Sequence, residues 1–173
     1  MRPEIDLIPM DDIDERIVSD LKSMLKDRGC IVRMYSRAHS PKTAMNLYRK
    51  QNNVDIIADA LGDLSGKVIA VTDKDLYTNK LNFVFHHAEK DGPTVISTFR
   101  LRPEFYQEKP SNFTLMDRLL KEAMFCIGRM SGMKECPSPK CIMHKSSSAR
   151  DIDCKLIEFC KDCKISNVID TRL

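Results

Sequence analysis

Residues 121–143, KEAMFCIGRMSGMKECPSPKCIM, decide how this chain is read. The stretch opens inside an apolar pattern of helical period that begins upstream. That pattern predicts a helix from about Thr114 to Met130, with Leu115, Leu119, Leu120, Ala123, Met124 and Ile127 on its buried face. Thr114 and Asp117 have the spacing of a capping box, which would start the helix. Gly132 is a stop signal at its far end. Beyond the glycine the periodicity ceases. Residues 133–173 carry cysteines, prolines and serines and too little apolar matter to hold themselves by packing, so they are expected to need a staple.

The staple is legible in the cysteines. Seven are present, and four fall into two close pairs, Cys136-x4-Cys141 and Cys160-x2-Cys163. Zinc in structural sites takes four ligands in a tetrahedron, often all thiolates, with each pair brought together by a tight turn. A two-residue gap lets Cys160 and Cys163 reach one ion, and the PSPK gap between Cys136 and Cys141 can form a knuckle. Such a site would stabilise the segment, because metal affinity becomes folding free energy. Cys30, Cys126 and Cys154 have no partner in sequence and read as small hydrophobes or unpaired thiols.

Upstream the chain alternates strands and helices. EIDLIPM (4–10) reads as a strand, Ile13 to Leu25 as an amphipathic helix ended by Gly29, and CIVRMY (30–35) as a second strand. After a polar loop over 36–43, the apolar spacing of Ala44, Leu47, Val54, Ile57 and Leu61 predicts a helix over about 43–61, stopped by Gly62. KVIAVT (67–72) has the continuous apolar character of a buried central strand. NFVFHHA (82–88) and PTVISTF (93–99) read as two further strands joined by the turn EKDG, and residues 100–112 as irregular. The order predicts one α/β domain: a sheet-and-helix part over 1–132 and an irregular, metal-stapled part over 133–173.

Composition removes several classes of function. The 173 residues suit one ordinary domain, and a net charge of +3 with basic and acidic residues interspersed argues against a nucleic-acid surface. MRPEIDLIPMDD lacks the apolar core of a secretory signal, and no run of eighteen apolar residues occurs, so neither secretion nor a membrane partner is expected. A cytosolic setting, where clustered cysteines more often hold metal than form disulfides, is expected.

The opening stretch also carries the frame of a motif. Metzincin proteases have H-E-x-x-H-x-x-G-x-x-H followed by a Met-turn: two histidines share one helix face, the glycine lets the chain bend, and the third histidine completes a zinc site. On FCIGRMSGMKEC, Gly132 matches the glycine, while Phe125, Cys126, Arg129 and Glu135 take the places of first histidine, glutamate, second histidine and third histidine. The chain as a whole resembles the archaemetzincins, archaeal metzincin-like proteins whose motif runs directly into Cys-x4-Cys-x-Met and a later Cys-x2-Cys. Cys136, Cys141, Met143, Cys160 and Cys163 match that continuation in order. YRKQNNVDIIADAL, VTDKDLY, LNFVFHHAEKDG and FRLRPEF are similar to the same family.

The resemblance implies a metzincin-like twisted mixed sheet with a backing helix and an active-site helix, above a small lower subdomain with a structural zinc. It implies one structural Zn²⁺, with the catalytic zinc expected absent: Phe125 has no donor atom, and Arg129 has no lone pair and stays charged. Cys126 is a poor replacement for a carboxylate base, and Glu135 alone does not make a site that needs three protein ligands. The expected role is binding, of an extended peptide or protein segment added along the strand NFVFHH. A purely structural subunit of a larger assembly is a further possibility. The alternative is a zinc-dependent metallopeptidase whose site is altered or relocated, using Glu135, Cys126 and one of His86, His87 or His144. A cysteine-nucleophile enzyme built on Cys126 is a third chemistry. In the vacated position, the spacing leads us to expect an Arg129–Glu135 contact with Phe125 filling the adjoining space, the alternative being Arg129 pointing to solvent and Glu135 paired with Lys134 or with nothing.

Overall fold

Five strands form the main sheet, in the order β2-β1-β5-β8-β7. These are β1 (Glu4–Pro9), β2 (Ile31–Met34), β5 (Lys67–Thr72), β7 (His86–His87) and β8 (Thr94–Ser97). The computed structural model describes residues 2–62, 64, 66–88 and 92–166. Residues 89–91 of the expected EKDG turn and the last seven residues of the stapled segment lie outside the described residues. β1 runs parallel to both β2 and β5, and β5 parallel to β8. The edge strand β7 is antiparallel to β8, which makes the sheet mixed. β5 is central, as its unbroken apolar run requires: Val68 and Ala70 face one layer, Ile69 and Val71 the other.

On one face lie α1 (Glu15–Asp27) and α3 (Asn112–Met130), which bury Ile17, Val18, Leu21, Leu115, Leu119 and Ala123 against Ile5, Leu7, Ile69 and Ile96. On the other face α2 (Val54–Leu61) packs Val54 and Ile57 against Ile8, Val68, Ala70 and Val95. Asp14 caps α1 by accepting from the Arg16 amide at 2.9 Å. No helix among the described residues is long and apolar enough to cross a membrane.

Three local expectations are corrected. The helix over 43–61 begins only at Val54. Before it come a 3₁₀ turn (Lys42–Ala44) and two short strands, β3 (Met45–Asn46) and β4 (Gln51–Asn53), which join β6 (Leu76–Tyr77) in a three-stranded sheet. Asn46 accepts from the amides of Tyr48 and Arg49, both at 3.1 Å, and Asn53 accepts from the Asp55 amide at 3.0 Å. These local side-chain bonds compete with helix, leave Leu47 exposed and start the helix late.

The second correction is at the start of α3, which is capped by Ser111 accepting from the Thr114 amide rather than by a Thr114–Asp117 box. A capping box is formed instead by Ser148 with Asp151, heading α4 (Ala149–Cys154). Third, of NFVFHHA only His86 and His87 join the ladder with β8, and Val84 makes a lone bridge to Leu76.

The segment after Gly132 is better anchored than its composition suggests. Met133, Cys136, Cys141, Ile142, Met143 and Ile152 are buried in the same core as α3. Backbone bonds tie its parts, with Cys136 N–H donating to Met143 O at 2.8 Å and Leu156 N–H to Lys140 O at 2.9 Å. A further helix, α5 (Lys161–Ser166), carries Cys163.

Candidate functional site

Two sites emerge, both organised by the C-terminal end of α3. The first is the cysteine cluster. The sulfurs of Cys136, Cys141, Cys160 and Cys163 all lie within 4.8 Å of one another. Cys136 and Cys160 are 3.7 Å apart, as are Cys141 and Cys163. A tetrahedron with Zn–S bonds of about 2.3 Å has edges of about 3.8 Å, so the four sulfurs fit one zinc ion. The Cys163 backbone N–H, a hydrogen-bond donor to Cys160, is the main cause that holds the Cys160 thiol down to about 7, whereas burial pushes the Cys136 and Cys163 thiols up. Among the described residues no other set of three His, Cys, Asp or Glu side chains gathers its ligand atoms in this way. When bound, the ion would cross-link residues 136–141 to residues 160–163 and leave no open coordination position.

The chain reaches this cluster through a tight helix stop. Gly132 takes φ +86°, its N–H donates to Arg129 O at 2.9 Å, and Met133 N–H donates to Gly128 O at 3.0 Å. This is a Schellman motif, and it sends the backbone back beneath the helix. Gly128 itself is what lets Met143 in. A methyl group on its Cα would stand 2.9 Å from Met143 Cε and nearer still to Met143 Sδ.

The second site is a cleft of about 560 Å³ between the rim 78–88 and the end of α3. His86, Phe125, Arg129, Glu135 and Ser146 line it. The positions singled out from the motif frame therefore do converge, with the exception of Cys126, which is fully buried in the core. Burial, and then the Glu122 carboxylate, push the Cys126 thiol well above its usual value. Neither a thiolate nucleophile nor a metal ligand follows from such a group. His144 also leaves the cleft, with its Nδ1 at 2.9 Å from Cys136 O beside the cysteine cluster. His87 lines the cleft, and its Nδ1 lies 3.6 Å from Asp55 Oδ1.

The expected Arg129–Glu135 contact is not formed. Arg129 Nη1 donates to Met133 O at 2.9 Å instead. The Schellman turn places that carbonyl one turn back along the helix, within closer reach of the guanidinium than Glu135, which is exposed and has no ion-pair partner among the described residues.

What supports the cleft floor is a group the motif frame did not reveal. Glu122, three residues before Phe125, is wholly buried. Its Oε2 lies 2.6 Å from His86 Nδ1, and its Oε1 accepts from Lys155 Nζ at 3.0 Å and from Ser146 Oγ at 3.1 Å. Burial pushes this carboxyl up, but the charges and hydrogen bonds of His86 and Lys155 outweigh it and hold it down to about 2. Phe125 is held between them, its ring 5.0 Å from the His86 ring and 4.9 Å from Lys155 Nζ. An acid at a buried helical position and a lysine in a core-poor tail were the only signals in the sequence, and neither points to the other.

Comparison with known proteins agrees with this architecture. The pattern of Peptidase family M54 matches residues 10–167. The archaemetzincin of Methanocaldococcus jannaschii is 36% identical over 156 residues, covering 90% of this chain and 87% of that protein. That of Pyrococcus furiosus is 47% identical over a shorter match, 56% of this chain and 50% of that protein. Among solved structures, the archaemetzincin of Archaeoglobus fulgidus complexed with malonate superposes with a TM-score of 0.81 at 30% identity, covering 94% of this chain and 98% of that one. The archaemetzincin of Methanopyrus kandleri gives 0.79 at 28% identity, covering 95% and 92%. With sequence and fold matched over nearly their whole length, the chain belongs to the archaemetzincins, peptidase family M54.

Proposed function

We propose that this chain is a non-catalytic archaemetzincin: it keeps a structural zinc on Cys136, Cys141, Cys160 and Cys163, has lost the catalytic zinc, and uses its cleft to bind an extended peptide without hydrolysing it. One observation carries the reading. Phe125 and Arg129, one helical turn apart, line the cleft at positions where the metzincin frame requires histidines. A phenyl ring has no donor atom, and a guanidinium repels a dication. β7 is the edge strand beside the cleft, the position at which an added strand would lie. Four clustered reduced cysteines suit a cytosolic setting.

The competing reading is a metallopeptidase with a relocated site. It draws on His86, His87 and Glu135, which all line the cleft. Metal analysis of the purified protein separates the two. One zinc per chain, with no chelator-sensitive cleavage of peptides, is the expected result. Two zincs per chain, with turnover abolished by Glu135→Gln, would favour the relocated site.

A further inference from the structure

The cleft has a chemical bias that a generic peptide groove lacks. Arg129 is half-buried at its inner wall, and only Nη1 is used, on the Met133 carbonyl. Its other N–H groups have no partner among the described residues. Lys145, which also lines the cleft, is exposed and likewise has no partner among the described residues. The buried carboxylate of Glu122 is already matched by Lys155, so it does not neutralise these cations. Among the described lining residues one exposed carboxylate, Glu135, stands against them. The surface next to Arg129 is apolar: Phe125 lies one turn back on the same helix face, with Phe83 and Ala88 on the facing rim. A fork of N–H donors beside an aromatic floor suits a carboxylate attached to an apolar group.

We propose that the cleft takes hold of its peptide through a carboxylate received by Arg129, with an adjoining apolar side chain on Phe125. This rests on the peptide-binding role proposed above and adds to it the chemistry recognised. The carboxylate can come from a free C-terminus or from an acidic side chain.

The test uses 3-phenylpropanoate as probe and 3-phenylpropanamide as its uncharged twin, titrated into the intact zinc-loaded protein and followed by NMR of the arginine and histidine side chains. The acid should move the Arg129 and His86 signals and bind at least about tenfold more tightly than the amide. Arg129→Gln should weaken the acid by about the same factor, Arg129→Lys by less, and Glu135→Gln should tighten it. Lys145→Gln, a change at an exposed side chain, should weaken the acid without altering thermal unfolding. Equal binding of acid and amide, or no change in acid affinity on Arg129→Gln in a folded variant, would overturn the proposal. Mixed tripeptides with free or amidated C-termini then identify the source. Loss of binding on amidation assigns the C-terminus, and retention only by members containing Asp or Glu assigns the side chain. Retention irrespective of any carboxylate overturns the proposal. Detection of peptide cleavage, by contrast, would remove the non-catalytic reading and leave carboxylate recognition standing.

Discussion

Glu122 and Lys155 form an ion pair in which both side chains are withdrawn completely from water, Nζ to Oε1 3.0 Å. The pair joins the middle of α3 to the chain leaving α4, and so fastens the cysteine-bearing segment to the cleft floor. Its members are also those that fix His86 and flank Phe125.

Lys155→Met is expected to lower unfolding free energy by about 3–5 kcal/mol, because it leaves the buried Glu122 carboxylate without its lysine and with only His86 and Ser146 beside it. The double variant Glu122→Gln/Lys155→Met should recover a large part of that loss. Denaturant unfolding of the zinc-loaded protein checks both, and additive losses in the double variant would contradict the pairing.

The same carboxyl predicts an acid limb. In the folded protein it is held down to about 2, whereas unfolded it returns to its ordinary value near 4.5. Between those values the unfolded chain binds the extra proton, so stability rises with pH there. The contribution is fully present above about pH 4.5 and is lost as pH falls through about 2. Glu122→Gln should flatten the stability profile in that window, measured by unfolding at a series of pH values.

Cys160→Ser is expected to release zinc, read by metal analysis of the purified protein. Hydrogen exchange should rise across residues 133–166 while the amides of β1, β5 and β8 stay protected, since the sheet has its own core. Full retention of one zinc in this variant would contradict the four-cysteine site.

Gly128→Ala should destabilise despite alanine's better helix propensity of about 1 kcal/mol. The added methyl meets the buried Met143 side chain, and such overpacking costs about 1–3 kcal/mol. In a Met143→Ala background the same change should become neutral or stabilising. A double-mutant cycle with no coupling would show that Gly128 is not there to admit Met143.

Much of this protein could be read from residue order alone. A helical period identified α1 and most of α3, and short apolar runs identified β1 and β5, because the helices bury an apolar face and these strands are buried on both. The cysteine pairs announced their site because a metal imposes fixed spacings on the chain that binds it. The motif frame placed Phe125, Arg129 and Glu135 in one cleft because a helix face and a glycine turn are local geometry. Tertiary structure decided what local geometry does not encode. The β3–β4 hairpin replaced a helix because Asn46 and Asn53 supply bonds that pattern does not reveal. Arg129 turned to Met133 because the returning backbone offered a nearer acceptor than Glu135. Glu122, His86 and Lys155 met because a buried charge must find its partners wherever the fold brings them, and those partners lie 36 and 33 residues away in sequence.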